Sequence, residues 1–467
     1  MKINNIEITG ITNDSRKVQA GWAFFAVPGN LVDATAFIPA ARAAGAAVIV
    51  TDKSYQGDSF KVSDVRRFLA ETAVQLFQPL PENIIAVTGT KGKSSVVHFC
   101  RYMLEQMGEN AASIGTIGLI HKGITAGIGA AGNTTPDPIL LCQLLHNLKA
   151  QGCDYAAIEA SSIGLAQERV NALPIKVAAF TNFARDHIGG YEHKDMDEYF
   201  AAKKILFDEV LDADGVMVLN ADDPKSGEIA AAGHGQKIIS FGKDGDAIRL
   251  VSADHREDGS TITVEIHGEK IKYDIKAPGI FQTSNSMCAI GMIMGLGFSA
   301  RDAARAISDA PPPAGRMQFA GSPVKNGGVY IDYAYTPDSL DSILRSARAL
   351  CKGRLMLLFG AGGERDSSRR YGQGEVAEKL ADVVYITDDN PRGEDPAVIR
   401  AQIASTCPKG VVITEGRAAA IRRAVADMRE GDILIISGKG HEEYQIIGHT
   451  KTHFSDYEEV QKALKGN

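Results

Sequence analysis

Short apolar runs rich in β-branched residues alternate along this chain with stretches whose apolar positions return every three or four residues. The run at 84–87 (Ile84, Ile85, Ala86, Val87) predicts a buried strand, and Val97, Cys100, Leu104 and Met107 then fall on one helical face, with Gly108 where a helix stops. Further strands are predicted at 155–158 and 177–180, and an amphipathic helix over 199–207 with Phe200, Ile205 and Leu206 apolar. A β-rich excursion begins near 248 and includes 268–275, and 220–224 reads as a turn. Five late runs, at 329–332, 355–359, 383–387, 411–414 and 433–437, alternate with helical patterns. That alternation predicts a doubly wound parallel sheet with crossover helices.

The first eighty residues read as a small α/β unit, with strands at 22–27 and 47–51 and helices at 37–43 and 71–78. The Pro79-Leu80-Pro81-Glu82 stretch reads as a linker, and Ala310-Pro311-Pro312-Pro313 as a stiff hinge. The fold class is therefore α/β in three domains. These are a small N-terminal domain over 1–81, a central P-loop ATPase-like parallel-sheet domain over 82–309 and a C-terminal Rossmann-like domain over 310–467. A length of 467 residues agrees with about three domains.

A net charge of −7 argues against nucleic acid or an anionic membrane surface as the partner. No apolar run approaches the roughly 20 residues of a membrane span. The polar start MKINNIEITG is no signal peptide, so a cytoplasmic protein is expected. Six widely spaced cysteines, without a C-x-x-C pair, read as reduced and mostly buried.

Chemistry enters at the end of the first central strand, where Thr88 leads into Gly89, Thr90, Lys91, Gly92, Lys93, Ser94 and Ser95. Strand, glycine loop and helix form the setting of a phosphate-binding loop. Glycines let backbone N–H groups turn toward a polyphosphate, the helix N-terminus adds its dipole, Lys93 reaches the outer phosphates and the Ser94 hydroxyl can ligate Mg²⁺. Val87 stands where the common form has its first glycine. Glu159 and His187 lie just beyond other strands, where open α/β sheets build ligand sites, and are candidate Mg²⁺ partners. A helix-capping glutamate and an ordinary loop histidine are the plainer readings. Lys203 or Lys204, among apolar neighbours, is where desolvation lowers an amine's pKa, although a helical lysine is more often simply solvated.

Three polar loops end strands of the last sheet: 360–365 with Arg365, 389–392 with Asp389, Asn390 and Arg392, and 438–442 with Gly438 and Glu442. Two guanidinium groups for a carboxylate and a glutamate for an ammonium would suit a zwitterionic amino acid. Each loop alone reads as a surface turn.

Twelve blocks in order, NDSR (13–16), GTKGKSS (89–95), NTTPD (133–137), EASS (159–162) with QER (167–169), RDH (185–187), AAK (201–203), GR (315–316), DYAYTPD (332–338), GGERD (362–366), TDDNPR (387–392) and GKGHE (438–442), resemble the Mur ligase family over nearly the whole chain. Within it the D-N-P-R block resembles the diaminopimelate-adding members. The resemblance implies an ATP-dependent amide-bond ligase of peptidoglycan precursor synthesis, a monomer working with Mg²⁺ on ATP, UDP-muramoyl-dipeptide and meso-diaminopimelate. It implies that Asn13 and Ser15 hold the UDP end and that Asn133, Thr134, Thr135, Ser161, Gln167 and Arg169 hold the muramoyl-dipeptide end. It assigns Glu159 and His187 to magnesium and Lys203, not Lys204, to carbamylation by CO₂, with Lys93, Lys203, His187 and Glu159 as the catalytic set. Asn285, Arg316 and Asp332 fall at ATP positions, and Arg365, Asp389, Asn390, Arg392, Gly438 and Glu442 at the diaminopimelate pocket.

The chain departs from the family at Ile163 for His, Gly189 for Asp, Gln282 for Asn and Tyr335 for His. It has Asp33-Ala34 for D-G and Arg369-Arg370-Tyr371 for K-R-P. A ligase adding L-lysine and a non-catalytic nucleotide-binding regulator of wall synthesis are the alternative expectations. A folylpolyglutamate-type ligase would share the ATP core without the N-terminal domain.

Overall fold

A computed structural model describes residues 1–29, 33–53, 55, 59–127, 133–186, 188, 192–256 and 258–466. His187 and Gly189, and residues 30–32 beside the expected UDP site, lie outside these. The chain divides into two compact units, one of residues 1–249 with 287–306, the other of 250–286 with 307–467.

In the first unit, a parallel sheet of Gly10–Thr12, Trp22–Phe25, Val48–Thr51 and Phe60–Lys61 builds the N-terminal layer. The helix expected at 71–78 starts earlier and runs Val65–Leu76, because the Asp64 carboxylate accepts from the N–H groups of Arg66 and Arg67 and caps it. In the Pro79–Glu82 stretch, read as a linker, Pro79 and Glu82 are exposed. Leu80 and Pro81 are buried, Leu80 in a core shared with the central sheet.

The central sheet of this unit runs in the order Ile124–Ala126, Gly118–His121, Ala111–Gly115, Tyr155–Glu159, Asn83–Thr88, Ile175–Phe180, Leu211–Asn220, Lys237–Gly242. It is parallel from Ala111–Gly115 onward, with an antiparallel extension at the first edge. Asn83–Thr88 lies between the strands ending in Glu159 and Phe180, and Glu159 stands in register with Val87, Phe180 with Thr88. Buried on both faces, these strands read as unbroken apolar runs.

The second unit holds a sheet in the order Gln318–Gly321, Gly328–Asp332, Ile433–Ser437, Leu355–Phe359, Val383–Ile386, Val411–Val412. Five strands are parallel as predicted, and Gln318–Gly321 adds an antiparallel edge. Helices Pro337–Leu350, Ser368–Leu380 and Pro396–Ala404 pack on one face, Arg417–Ala426 and Asp456–Leu464 on the other. The β-rich excursion forms strands Gly259–Ile266 and Glu269–Ile275, paired antiparallel.

All six cysteines are free thiols, and five are buried. No helix among the described residues is long and apolar enough to cross a membrane.

Candidate active site

The glycine loop leaves the strand Asn83–Thr88 and enters the helix Lys93–Gln106 through Gly92, which is left-handed at φ 90° and caps the helix without a side chain. Gly89 is also at positive φ, and a Cβ there would lie 1.9 Å from Thr181 Oγ1. Only glycine fits so close a crossing.

The segment after Ile175–Phe180 braces this loop. Asn182 Oδ1 accepts from the Lys91 N–H at 2.9 Å while its Nδ2 donates to the Lys91 carbonyl at 3.0 Å. Thr181 Oγ1 also donates to that carbonyl, at 2.6 Å, and the Ala184 N–H donates to Thr90 Oγ1 at 3.0 Å.

Inside the loop two lysines meet. Lys93 Nζ donates to the Gly89 and Thr90 carbonyls at 2.9 and 3.0 Å, and Lys203 Nζ to the Gly89 carbonyl at 2.8 Å. Lys203 comes from the helix Met196–Ile205, is 1 % exposed and lies 4.2 Å from the centre of the Tyr199 ring. Burial holds its amine well below the usual lysine range, and the charge of Lys93 adds to the effect. Lys204 is only half-buried.

Glu159 is 1 % exposed. It does not cap the next helix, since Ser161 Oγ accepts from Gly164 N–H and does so. Its Oε1 accepts from the Thr116 N–H at 2.9 Å and its Oε2 from the Thr116 hydroxyl at 3.2 Å. Gly115 leaves room for it, because a Cβ there would stand 2.1 Å from Oε1. These bonds hold the carboxylate while each oxygen keeps a further lone pair, and both the carboxylate and the Ser94 hydroxyl are oxygen donors of the kind a hard cation takes. Among the described residues no group of three or more histidine, cysteine or acidic side chains forms a metal cluster.

The muramoyl-end candidates gather nearby. Thr135 Oγ1 donates to the Glu159 carbonyl at 2.7 Å and lies 3.0 Å from Ser161 Oγ, and Thr134 Oγ1 is 3.1 Å from Thr116 Oγ1. Arg169 donates to the Thr135 carbonyl at 2.7 Å and to Gln167 Oε1 at 2.6 Å, and burial lowers its pKa. Asn133 is exposed. Asn13 and Ser15 follow the strand Gly10–Thr12, Asn13 exposed and Ser15 opening a 3₁₀ turn capped by Asp14.

In the second unit, Asn285 donates to Gln282 Oε1 at 2.9 Å. The carboxylate of Asp332 accepts from the Met317 and Ala334 N–H groups, both at 2.8 Å, while Arg316 stacks 4.8 Å from the centre of the Tyr333 ring. Tyr335 is exposed and packs edge-on against Tyr333.

The three polar loops of the last sheet come together. Arg392 Nη1 donates to the Gly363 carbonyl at 2.8 Å, the Gly363 N–H to the Asn390 carbonyl at 2.9 Å, and Asn390 Nδ2 to Glu442 Oε2 at 2.9 Å. Arg392 sits at φ 52°, a left-handed conformation held by its N–H donating to the Ile446 carbonyl and its carbonyl accepting from Gly448 N–H. A Cβ on Gly438 would come 2.7 Å from Asp389 Oδ2. Arg365 is exposed beside Gly362.

Pattern reading missed Thr116, Thr181, Asn182 and Lys439. The first three act on residues 43, 90 and 91 positions away, beyond any local period.

The sequence matches the Mur ligase family catalytic domain over residues 7–75, the Mur ligase middle domain over 87–293 and the Mur ligase glutamate ligase domain over 315–440. The UDP-N-acetylmuramoyl-L-alanyl-D-glutamate--2,6-diaminopimelate ligases of Mesorhizobium japonicum and Rhizobium meliloti are each 40% identical to it, over 99% of this chain and 96% and 95% of theirs. A solved structure of a ligase of that name superposes with a TM-score of 0.72 at 28% identity, covering 98% of this chain and 95% of the other. Matched by three Mur ligase models along its length and 40% identical over 99% of its length to such relatives, the chain belongs to the Mur ligase family.

Proposed function

We propose that this ATP-dependent ligase joins meso-2,6-diaminopimelate to UDP-N-acetylmuramoyl-L-alanyl-D-glutamate in peptidoglycan precursor synthesis, in the cytoplasm. Residues 1–81 take the UDP end, through Asn13 and Ser15, residues 82–309 take ATP, and 310–467 take the amino acid. A carboxylate resists an amine because its oxygen leaves poorly and its charge repels the nucleophile. The D-glutamyl carboxylate oxygen therefore attacks the γ-phosphorus of ATP and ADP departs. The amine then attacks the acyl phosphate, phosphate leaves, the nitrogen loses a proton and an amide remains.

Lys93, with Ser94 at the helix N-terminus, steadies the phosphates, as the charge of a transferring phosphoryl group requires. Mg²⁺ supplies further neutralisation of phosphoryl charge when bound, and Ser94, Glu159, His187 and carbamylated Lys203 would hold it. The buried Lys203, whose proton burial loosens, suits attack on CO₂ by its unprotonated amine, which forms an N–C bond, releases a proton and leaves an anion where an ammonium could serve no metal. Asn285, Arg316 and Asp332 take the nucleotide. Asn133, Thr134, Thr135, Ser161, Gln167 and Arg169 orient the dipeptide.

The observation that carries the amino-acid reading is the convergence of three loops, with Arg392, Asn390 and Glu442 bonded through them. Arg365 and Arg392 offer guanidinium to a carboxylate, and Asp389 and Glu442 offer charge to an ammonium. Phosphate release by the purified chain, with ATP and UDP-muramoyl-dipeptide, tests this against diaminopimelate, L-lysine and no amino acid. Release with diaminopimelate at least tenfold above the other two is expected. Release with lysine instead overturns the substrate, and no release with any amino acid overturns the reaction.

A further inference from the structure

One buried cation sits beneath the crevice. Lys439, in the turn after Ile433–Ser437, is 0 % exposed, and its ammonium lies 3.2 Å from Asn390 Oδ1, 3.3 Å from Glu442 Oε2 and 3.8 Å from Asp389 Oδ1. An ammonium has donors only, so it can face only the oxygen of the Asn390 amide. The Ile446 N–H donates to the same oxygen at 3.0 Å. With Oδ1 claimed twice, Nδ2 is turned outward and donates to Glu442 Oε2 at 2.9 Å. Lys439 and the Ile446 N–H together fix which end of the amide meets the glutamate, and Lys439 also donates to that glutamate.

The charge balance makes the same point. Around Asp389, Lys439 and Arg417 face three carboxylates, those of Asp389, Glu442 and Asp456, with the Tyr333 and Tyr444 phenols also beside Glu442. Arg417 is already committed to Asp456, at 2.7 Å, with neither side chain exposed. Removing Lys439 would leave Glu442 without its cation and Asp389 with only the Arg417 that Asp456 already holds, where like charges strongly disfavour joint ionisation.

Resting on the amino-acid reading above, we infer that Lys439 is a positioning residue of the crevice, holding Asn390, Asp389 and Glu442 in the arrangement that accepts the substrate ammonium. It touches no substrate itself. Burial already pushes the Asp389 carboxyl up, and Lys439 and Arg417 pull it down. Without the lysine, the acidic limb of amino-acid use moves to higher pH.

The test compares Lys439→Met and Lys439→Arg with the unaltered chain, using the amino acid, diaminopimelate or lysine, that supports phosphate release. Lys439→Met is expected to raise KM for that amino acid at least tenfold and KM for ATP less than twofold, and to shift the acidic limb of kcat/KM for the amino acid upward. Lys439→Arg, which keeps the charge, is expected to recover at least half of the loss on a logarithmic scale. An equal rise in both KM values, an unmoved acidic limb or an amino-acid KM within twofold of the original overturns the assignment. Should Lys439→Met fail to fold, the limb and KM of Lys439→Gln, compared with Lys439→Arg, decide it by the same criteria. The amino-acid panel on the unaltered chain fails separately if the substrate reading is wrong, because the comparison of variants holds for either amino acid.

Discussion

Lys93 and Lys203 share one acceptor: both side-chain nitrogens donate to the carbonyl oxygen of Gly89, at 2.9 and 2.8 Å. Burial holds the Lys203 amine well below the usual lysine range, and the neighbouring Lys93 pushes it the same way.

Lys203→Met should therefore separate activity from stability. Turnover is expected to fall by about 10³-fold or more, the scale on which charge stabilisation acts in phosphoryl transfer. In bicarbonate-free buffer at pH 7 the same variant should melt at a higher temperature than the unaltered chain. The native amine binds its proton below the lysine value and the unfolded one at 10.5, so the unfolded state carries more protons across that window. The unaltered chain gains stability as pH rises toward 10.5, and the difference in melting temperature should narrow accordingly. Calorimetry between pH 7 and 10 checks it, and added bicarbonate should raise the activity of the unaltered chain alone.

Gly89→Ala places a methyl 1.9 Å from Thr181 Oγ1 at a backbone angle L-residues avoid. A loss of about 1–3 kcal/mol by urea unfolding is expected. ATP-dependent turnover should drop at least about tenfold, since about 1.4 kcal/mol of misplacement is enough for that.

Arg417 and Asp456 form an ion pair with neither side chain exposed, and Arg417 also donates to the Ser437 carbonyl at 3.0 Å. Breaking it by Arg417→Met should cost about 3–5 kcal/mol, because an unpaired carboxylate stays buried. The double variant Arg417→Met, Asp456→Leu should recover much of that, and denaturant melts of the three chains distinguish the outcomes.

Arg392→Ala removes a guanidinium of the crevice together with its bond to the Gly363 carbonyl. KM for diaminopimelate is expected to rise tenfold or more, about 1.4 kcal/mol of binding, with KM for ATP within twofold. Steady-state kinetics with each substrate varied in turn would show an equal rise in both if the loop merely unfolded.

The placement of many candidate residues was legible because they follow buried strands. The glycine loop stands out by the strand and helix that flank it, Glu159 by the apolar run before it, and Lys203 or Lys204 by the amphipathic stretch around them, the choice between the two coming only from the family resemblance. The loops carrying Arg365, Arg392 and Glu442 could be assigned to one sheet edge because parallel strands deliver their C-terminal ends to the same side. The partners that hold these groups were not legible. Thr116 reaches Glu159 across 43 positions and Arg370 reaches Glu394 across 24, and neither spacing has a helical or strand period. The early start of Val65–Leu76 was available in principle from Asp64, but Arg66 and Arg67 hid the apolar face behind it.

The bracing of the glycine loop by Thr181, Asn182 and Ala184 has a practical corollary. The loop's shape is borrowed from a neighbouring strand, so its letters are not a portable cassette: GTKGKSS moved to another strand and helix would arrive without its mould. Damage to nucleotide handling should then arise from substitutions at Thr181 or Asn182, in a stretch that contains no glycine and matches no phosphate signature.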